Sequence, residues 1–399
     1  MSFAPTLAAA QARIAAVRPA DYARSRNAID GAVTGLSPYI THGFVTLPEV
    51  LAGVAARHRL EVGHKFVFEL GWREYFRHVW QHQGTGILQS LHEGLLPKSA
   101  YAAEMAADIR QARTGIPAID TAVRTLYATG YLHNHARMWL ASYIVHIRKV
   151  YWRAGADWML AHLLDGDLAS NHLSWQWVAA TGSNKPYLFN ADNVAKYAPP
   201  DWHSPGSVID TSYAALDAIA HSPQALAGRP ETEGMMEPAA SHTPPNATAP
   251  DAVLVAGRDV WLVHPWALRL PLDLPAHTLC IGIYLEEFHS AWPWSQLRWG
   301  FVGARMVELT TACWHADTTT LQQVLRGARS VRTVADPHLD LSALAQVQPA
   351  PTLFAEVARP CTSFSQWWTR TTQGVAALHD LAGLASLSAG PLFDIPPRK

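Results

Sequence analysis

Residues 165–177 read Asp165-Gly166-Asp167-Leu168-Ala169-Ser170-Asn171-His172-Leu173-Ser174-Trp175-Gln176-Trp177. Asp165 can end a loop, and Asp167 can cap a helix running from about Asp167 to Ala180. Asn171 and Trp175 stand four residues apart, so they share a helix face. Two carboxylates, an amide and two indoles around one helix start form an unusual group to bury. Spacing alone leaves a plainer alternative open, an N-cap on an aromatic core.

Upstream, His133-Asn134-His135-Ala136-Arg137-Met138 places Asn134, Arg137 and Met138 on one helical face. A buried Arg137 needs an anion, which Asp165 or Asp167 can supply; an exposed, solvated arginine is the alternative. His133 and His135 are two apart and diverge on a helix, so no metal site is expected. Glu69-Leu70-Gly71-Trp72-Arg73-Glu74-Tyr75 carries an i,i+4 pair, Glu69 and Arg73, that also suits a simple helix salt bridge. Thr34-Gly35-Leu36-Ser37-Pro38-Tyr39 is a hydroxyl-rich turn able to hold a phosphate with backbone N–H and side-chain O–H groups, or merely to turn.

The surrounding chain has 399 residues, 49% of them hydrophobic and 16% charged. At ~100–200 residues per domain this length predicts two domains, or three. The low charge excludes a disordered chain or a charged coiled coil, and the net charge of −1 excludes a polycation that coats nucleic acid. A locally basic groove remains compatible. The 16 tryptophans suit large cores, stacking sites or redox relays. Cys280, Cys313 and Cys361 are too few for a four-cysteine cluster and fit no zinc spacing. They point to a reduced, cytoplasmic setting. No apolar run approaches ~20 residues, so no membrane span is expected. The N-terminus lacks a basic n-region, so no signal peptide is expected either.

Residues 1–220 read as helical. Thr46-Leu47-Pro48-Glu49 forms a capping box; further helices are expected over about 64–81, from Pro117 to Gly130, and over 133–151, 156–164 and 167–180. Residues 221–250, rich in Pro, Ala, Ser and Thr, read as a flexible linker. Beyond it, 260–263 and 279–285 are short β-branched runs expected as buried parallel strands. Residues 299–309 and 321–325 read as helices, and 330–334 as another strand. This alternation predicts a small α/β domain over 251–399. It lacks the glycine-rich phosphate loops, so no nucleotide site is expected there.

Residues ~20–200 resemble the flavin-binding helical domain of the photolyase/cryptochrome family. The resemblance is carried by TGLSPYITHG (34–43), GWREYFRH (71–78), TGIPAID (114–120), YLHNHARM (131–138) and DGDLASNHLSWQW (165–177). The last three segments follow the family's spacing without insertion. The second half looks like a shortened form of the family's α/β domain, which normally comes first. The expected architecture is thus an α-helical FAD-binding domain of photolyase type followed by a small α/β domain with a parallel sheet.

The resemblance implies FAD folded into a U within the helical domain. Thr34, Leu36 and Ser37 match the diphosphate loop, with Tyr22 just upstream. Arg26 lies there too, where the family also reaches DNA. Arg73 falls among the cofactor-binding positions. Arg137 and Asp165 match a charged pair against the isoalloxazine, Asp167 a partner of its polar edge, and Asn171 the residue facing N5. Glu69, Trp72, Asn134, Met138 and Trp177 match the lining of a cavity for a flipped-out cyclobutane pyrimidine dimer. Trp175 and Trp152 match the first two members of an electron-transfer chain. Its third position falls near Ser99, where Tyr101 is a candidate substitute. Asn171 and Asn134 lean toward repair of cyclobutane dimers in DNA, with a cryptochrome-like blue-light receptor as the alternative. The small second domain leaves an antenna chromophore unsupported, and a monomer is expected.

Overall fold

A computed structural model describes residues 2–227 and 233–387. The first helix motif forms as its residues dictate. The Thr46 hydroxyl accepts from the Glu49 amide, and the Glu49 carboxylate accepts from the Thr46 amide, which starts α1 (Leu47–Ala55). His64 caps the long α2 (Lys65–Gln83). Helix α3 (Pro117–Thr129) begins on proline and ends at Gly130, whose φ of 65° lies in the left-handed region.

The expected helix over 133–151 is shorter in the structure. Helix α4 (Asn134–Ser142) passes into a π turn, Tyr143–Ile147, and Lys149 adopts a φ of 52° that no helix continues. Its ammonium instead donates to the Ile219 and Ala220 carbonyls. Helix α5 (Trp152–His162) starts earlier than residue 156. Helix α6 (Leu168–Val178) is capped by Asp167, which accepts from the Ser170 amide.

The second half holds a five-stranded, all-parallel sheet. Its strands are β1 (Asp259–Val263), β2 (Leu279–Leu285), β3 (Ala312–Ala316), β4 (Ser330–Val334) and β5 (Gln346–Gln348), in the order β3-β2-β1-β4-β5. Val260 lies opposite both Leu279 and Val331, so β1 is central. Strand β3 (ACWHA) escaped the pattern because Cys313 and His315 interrupt its apolar run, and β5 is a short, largely exposed edge. Helix α7 (Gln296–Leu309), capped by Ser295, connects β2 to β3, and α8 (Thr318–Leu325) leads to β4. Among the described residues, no helix is long and apolar enough to cross a membrane.

The described part of the expected linker has fixed partners. Glu237 pairs with Arg110 at 2.8 Å and His162 at 3.3 Å. Ala240–Ser241 runs antiparallel to Trp294–Ser295, and the Thr248 amide donates to the Cys313 carbonyl at 2.8 Å. Composition marked this stretch as flexible; backbone and ion-pair partners hold its described residues against both neighbours.

Burial does not divide the chain at that segment. One buried cluster joins Leu36, Tyr39, Phe44, Val50, Phe66 and Leu164 to Val260, Ile281, Trp294, Phe301 and Trp367. A second holds α3, α4 and α5 through Ile119, Val123, Trp139, Ile144 and Trp158. The sheet and the first helices therefore share one core. Helix α9 (Phe364–Thr371) completes it by laying Phe364, Trp367 and Trp368 along the aromatic face of α2.

Candidate functional site

Three segments distant in sequence meet at Asp165. Arg137 Nη2 donates to both oxygens of its carboxylate, at 3.0 and 2.8 Å. Ser37 Oγ donates to the same group at 2.6 Å. The Arg137 Nε–H is taken by the Leu132 carbonyl at 2.7 Å, which aims the guanidinium. Of the two candidate anions for Arg137, the structure selects Asp165. Gly35, with a φ of 60°, makes the turn that brings Ser37 there, and the Leu36 amide donates to Thr34 Oγ1 at 3.3 Å.

Asp167 faces a second cationic group. Arg73 Nη2 lies 3.5 Å and Arg77 Nη2 3.8 Å from its Oδ2. Burial alone would raise this carboxyl, but the Arg73 and Arg77 guanidiniums outweigh burial and hold it well below the usual carboxylate range. Burial pulls the Arg73 guanidinium down from its ordinary value. The expected Glu69–Arg73 bridge is not made. Glu69 pairs instead with Lys65 at 2.8 Å and Arg26 at 3.5 Å, which frees Arg73 for Asp167.

Four buried polar atoms near the start of α6 have no hydrogen-bond partner: Arg73 Nη2, Arg77 Nε, Asp167 Oδ2 and Ser170 Oγ. Buried polar groups are ordinarily satisfied, so this set calls for a ligand with both donors and acceptors. An isoalloxazine edge, which carries N–H and C=O groups, fits it. Asn171 Nδ2 donates to the Ala156 carbonyl at 2.9 Å, which fixes the amide and leaves its oxygen available to a donor. Tyr22 packs edge-on against Phe66 at 5.7 Å.

The expected lesion-side residues are less closely knit. Asn134 Nδ2 contacts Met138 Sδ at 3.6 Å, as their shared face predicted. Trp177 is 42% exposed and leans on Tyr187. Trp72 stacks on Phe364 of α9, with centroids 4.2 Å apart and planes 15° apart. That contact was invisible from α2 alone.

Trp152 and Trp175, the two expected members of a relay, are buried. Trp152 Nε1 donates to Ser90 Oγ at 2.9 Å, and the same hydroxyl lies 3.2 Å from the Tyr151 hydroxyl. The Tyr151 ring packs against the Trp152 ring, at 5.8 Å. Sequence reasoning passed over Arg77, Ser170, Asp336 and His338. Arg77 had a signal, since it stands one helical turn beyond Arg73; Asp336 and His338 follow β4, far along the sequence, and had none.

Comparison with known proteins bears on the helical half. Residues 66–203 match the family model described as the FAD binding domain of DNA photolyase. A deoxyribodipyrimidine photo-lyase of Synechococcus sp. is 33% identical over 190 residues, which cover 44% of this chain and 39% of that protein. Its Escherichia coli counterpart is 32% identical over 179 residues, covering 44% and 36%. A cryptochrome DASH of Idiomarina loihiensis is 31% identical over 171 residues, covering 41% and 38%. The solved structure of a Synechocystis sp. cryptochrome aligns over 49% of this chain and 44% of its own, at 29% identity and a TM-score of 0.43. The aligned region spans under half the length of these relatives. Residues 66–203, the greater part of the helical half, are thus an FAD-binding domain of photolyase type.

Proposed function

We propose that this protein is a light-driven DNA photolyase acting on cyclobutane pyrimidine dimers. One observation carries the proposal: Ser37, Arg137 and Asp165 converge beside buried polar atoms of Arg73, Asp167 and Ser170 that make no hydrogen bond. Bound here in its reduced form and excited by light, FAD would lend the dimer an electron that opens the cyclobutane ring and then returns to the flavin. The turn of Thr34, Leu36 and Ser37, at the start of the short helix Ser37–Thr41, would hold the diphosphate, with the Ser37 backbone amide as the donor because its hydroxyl is given to Asp165. The Arg137–Asp165 pair lies against the isoalloxazine, and Arg73 and Asp167 take its polar edge. Asn171 presents an amide oxygen toward N5 and offers no readily released proton. The relatives named deoxyribodipyrimidine photo-lyase support this reading of the site.

Glu69, Trp72, Asn134, Met138 and Trp177 form the lesion side, with aromatic and thioether walls for stacking and polar groups for the base edges. Arg26, paired with Glu69, lies at the DNA-facing end. Trp175 and Trp152 would relay electrons from an external reductant toward the flavin. FAD is the one chromophore this proposal uses.

A second reading, a cryptochrome-like receptor, has one observation in its favour. Phe364 occupies a face of Trp72 that stacking on a lesion would need. Irradiating the flavin-reduced protein with an oligonucleotide carrying a thymine dimer decides between them. Light-dependent loss of the dimer is expected. Persistence of the dimer with fully reduced flavin would reject repair. Glu69→Gln should lower repair yield while the protein stays yellow; loss of FAD from that variant would contradict the lesion-side assignment.

A further inference from the structure

The sheet order β3-β2-β1-β4-β5 sends connections away from β1 on opposite sides, so a switch point lies between β1 and β4. In open parallel sheets the crevice at the carboxyl ends of such strands is the usual ligand seat. Here it is filled by the chain itself. His264 follows β1, Asp336 and His338 follow β4, and all three are buried. The His338 ring stacks on Trp266, with centroids 4.3 Å and planes 9° apart, and meets Trp80 of α2 edge-on at 4.8 Å.

The polar groups of this crevice turn toward the helical domain. Asp336 Oδ2 accepts from Arg77 at 2.9 Å, and Oδ1 accepts from His338 Nδ1 at 2.6 Å. The second contact fixes the tautomer, so His338 Nε2 accepts the Leu168 amide proton at 3.2 Å. Leu168 directly follows Asp167. From the other side, Arg298 of α7 donates to the Gly166 carbonyl at 2.6 Å. The α/β domain therefore grips both flanks of the loop that carries Asp165 and Asp167.

This grip bears on which buried atoms stay open. Arg77 is committed to Asp336 at 2.9 Å and stops 3.8 Å short of Asp167. His338 Nε2, engaged by Leu168, stays 3.9 Å away. Asp167 Oδ2 and Arg73 Nη2 are left without hydrogen bonds. We propose that Asp336 and His338 are positioning residues of the flavin site: by holding Arg77 and the start of α6, they keep Asp167 and Arg73 open to the cofactor's polar edge. The α/β domain is then the second wall of that site and not a seat for its own ligand. This inference rests on the flavin reading above.

The test is FAD titration of the full-length apoprotein, read by flavin fluorescence and by the vibronic structure of the bound absorption band. With Asp336→Asn, Arg77 loses its counter-charge and closes on Asp167. The dissociation constant of FAD should rise about tenfold or more while the far-UV spectrum stays that of the wild type. Adding Arg77→Met removes the released cation and should recover most of the affinity, whereas a purely structural defect would deepen. The double variant also leaves no unpaired charge in that pair, so it decides the matter if Asp336→Asn alone fails to fold. Retained affinity there supports the proposal, and loss of FAD by a folded double variant overturns it. Wild-type affinity in a folded Asp336→Asn likewise overturns it. A wild-type protein that takes up no FAD would instead overturn the flavin reading itself.

Discussion

Arg137 holds Asp165 through one guanidinium nitrogen placed 3.0 and 2.8 Å from its two carboxylate oxygens, across 28 residues of sequence. Asp165 is 8% exposed, so its charge has little water to fall back on. Arg137→Met should strand that carboxylate and cost about 3 kcal/mol, since removing one partner of a buried pair leaves the other uncompensated. Chemical denaturation measures the loss, and the FAD content of the purified variant should fall with it. A variant as stable and as yellow as the wild type would contradict both the pairing and its role.

Acid should weaken the fold before the carboxylates titrate. Burial pushes His133 and His146 down to about 4, and burial together with Arg298 pushes His42 to about 3. Below about 6.5 the unfolded chain binds protons that these folded imidazoles refuse. Each then removes up to about 1.4 kcal/mol of stability per pH unit until its folded pKa is reached. Glu74, raised to about 7 by burial, acts with the opposite sign, because the folded state gains its proton first. Three groups outweigh one, so the melting temperature should fall between pH 6.5 and 4.5. A flat profile across that window would be inconsistent with three neutral, buried imidazoles.

Gly155 lies where α5 meets the Trp175 ring, and a Cβ there would collide with the indole's far edge. Gly155→Ala should destabilise the protein by about 1–3 kcal/mol, the usual cost of overpacking. It should also displace Trp175, so photoreduction should slow in the same variant. Unchanged melting would mean that the contact relaxes freely.

Trp152→Phe tests the relay. It removes the indole and its bond to Ser90 Oγ while leaving the flavin-side residues untouched. Most of the rate of light-driven flavin reduction should disappear, with FAD affinity within twofold of wild type, a difference of about 0.4 kcal/mol. Stopped illumination with an external electron donor reads the rate. Tyr151→Phe should have a smaller effect in the same direction.

The helical half was largely legible because its signals are local. Thr46 and Glu49, His64, Gly130 and Asp167 each mark a helix end within four residues of their partners. The Arg137–Asp165 pair could be anticipated because a buried guanidinium demands an anion and few candidates stood nearby. The break at Lys149 was hidden, since its stabilising carbonyls lie 70 and 71 residues away. The partners of Arg77 and Leu168 were hidden for the same reason. Asp336-Pro337-His338 carries no motif, and its meaning arises only when β4 ends against α2. Similarly, composition gave 221–250 no reason to order, because its described partners come from helices and strands on either side.

The link between Leu168 and His338 spans 170 residues. During synthesis, the loop bearing Asp165 and Asp167 emerges long before the residues that steady it. Chains grow vectorially at ~5–20 residues per second, and exposed apolar surface in such intermediates favours aggregation. For many seconds Phe66, Leu164 and their neighbours lack the sheet that will cover them. The nascent helical half thus carries uncovered apolar surface, and the start of α6 lacks its His338 anchor, until the residues after β4 have been made.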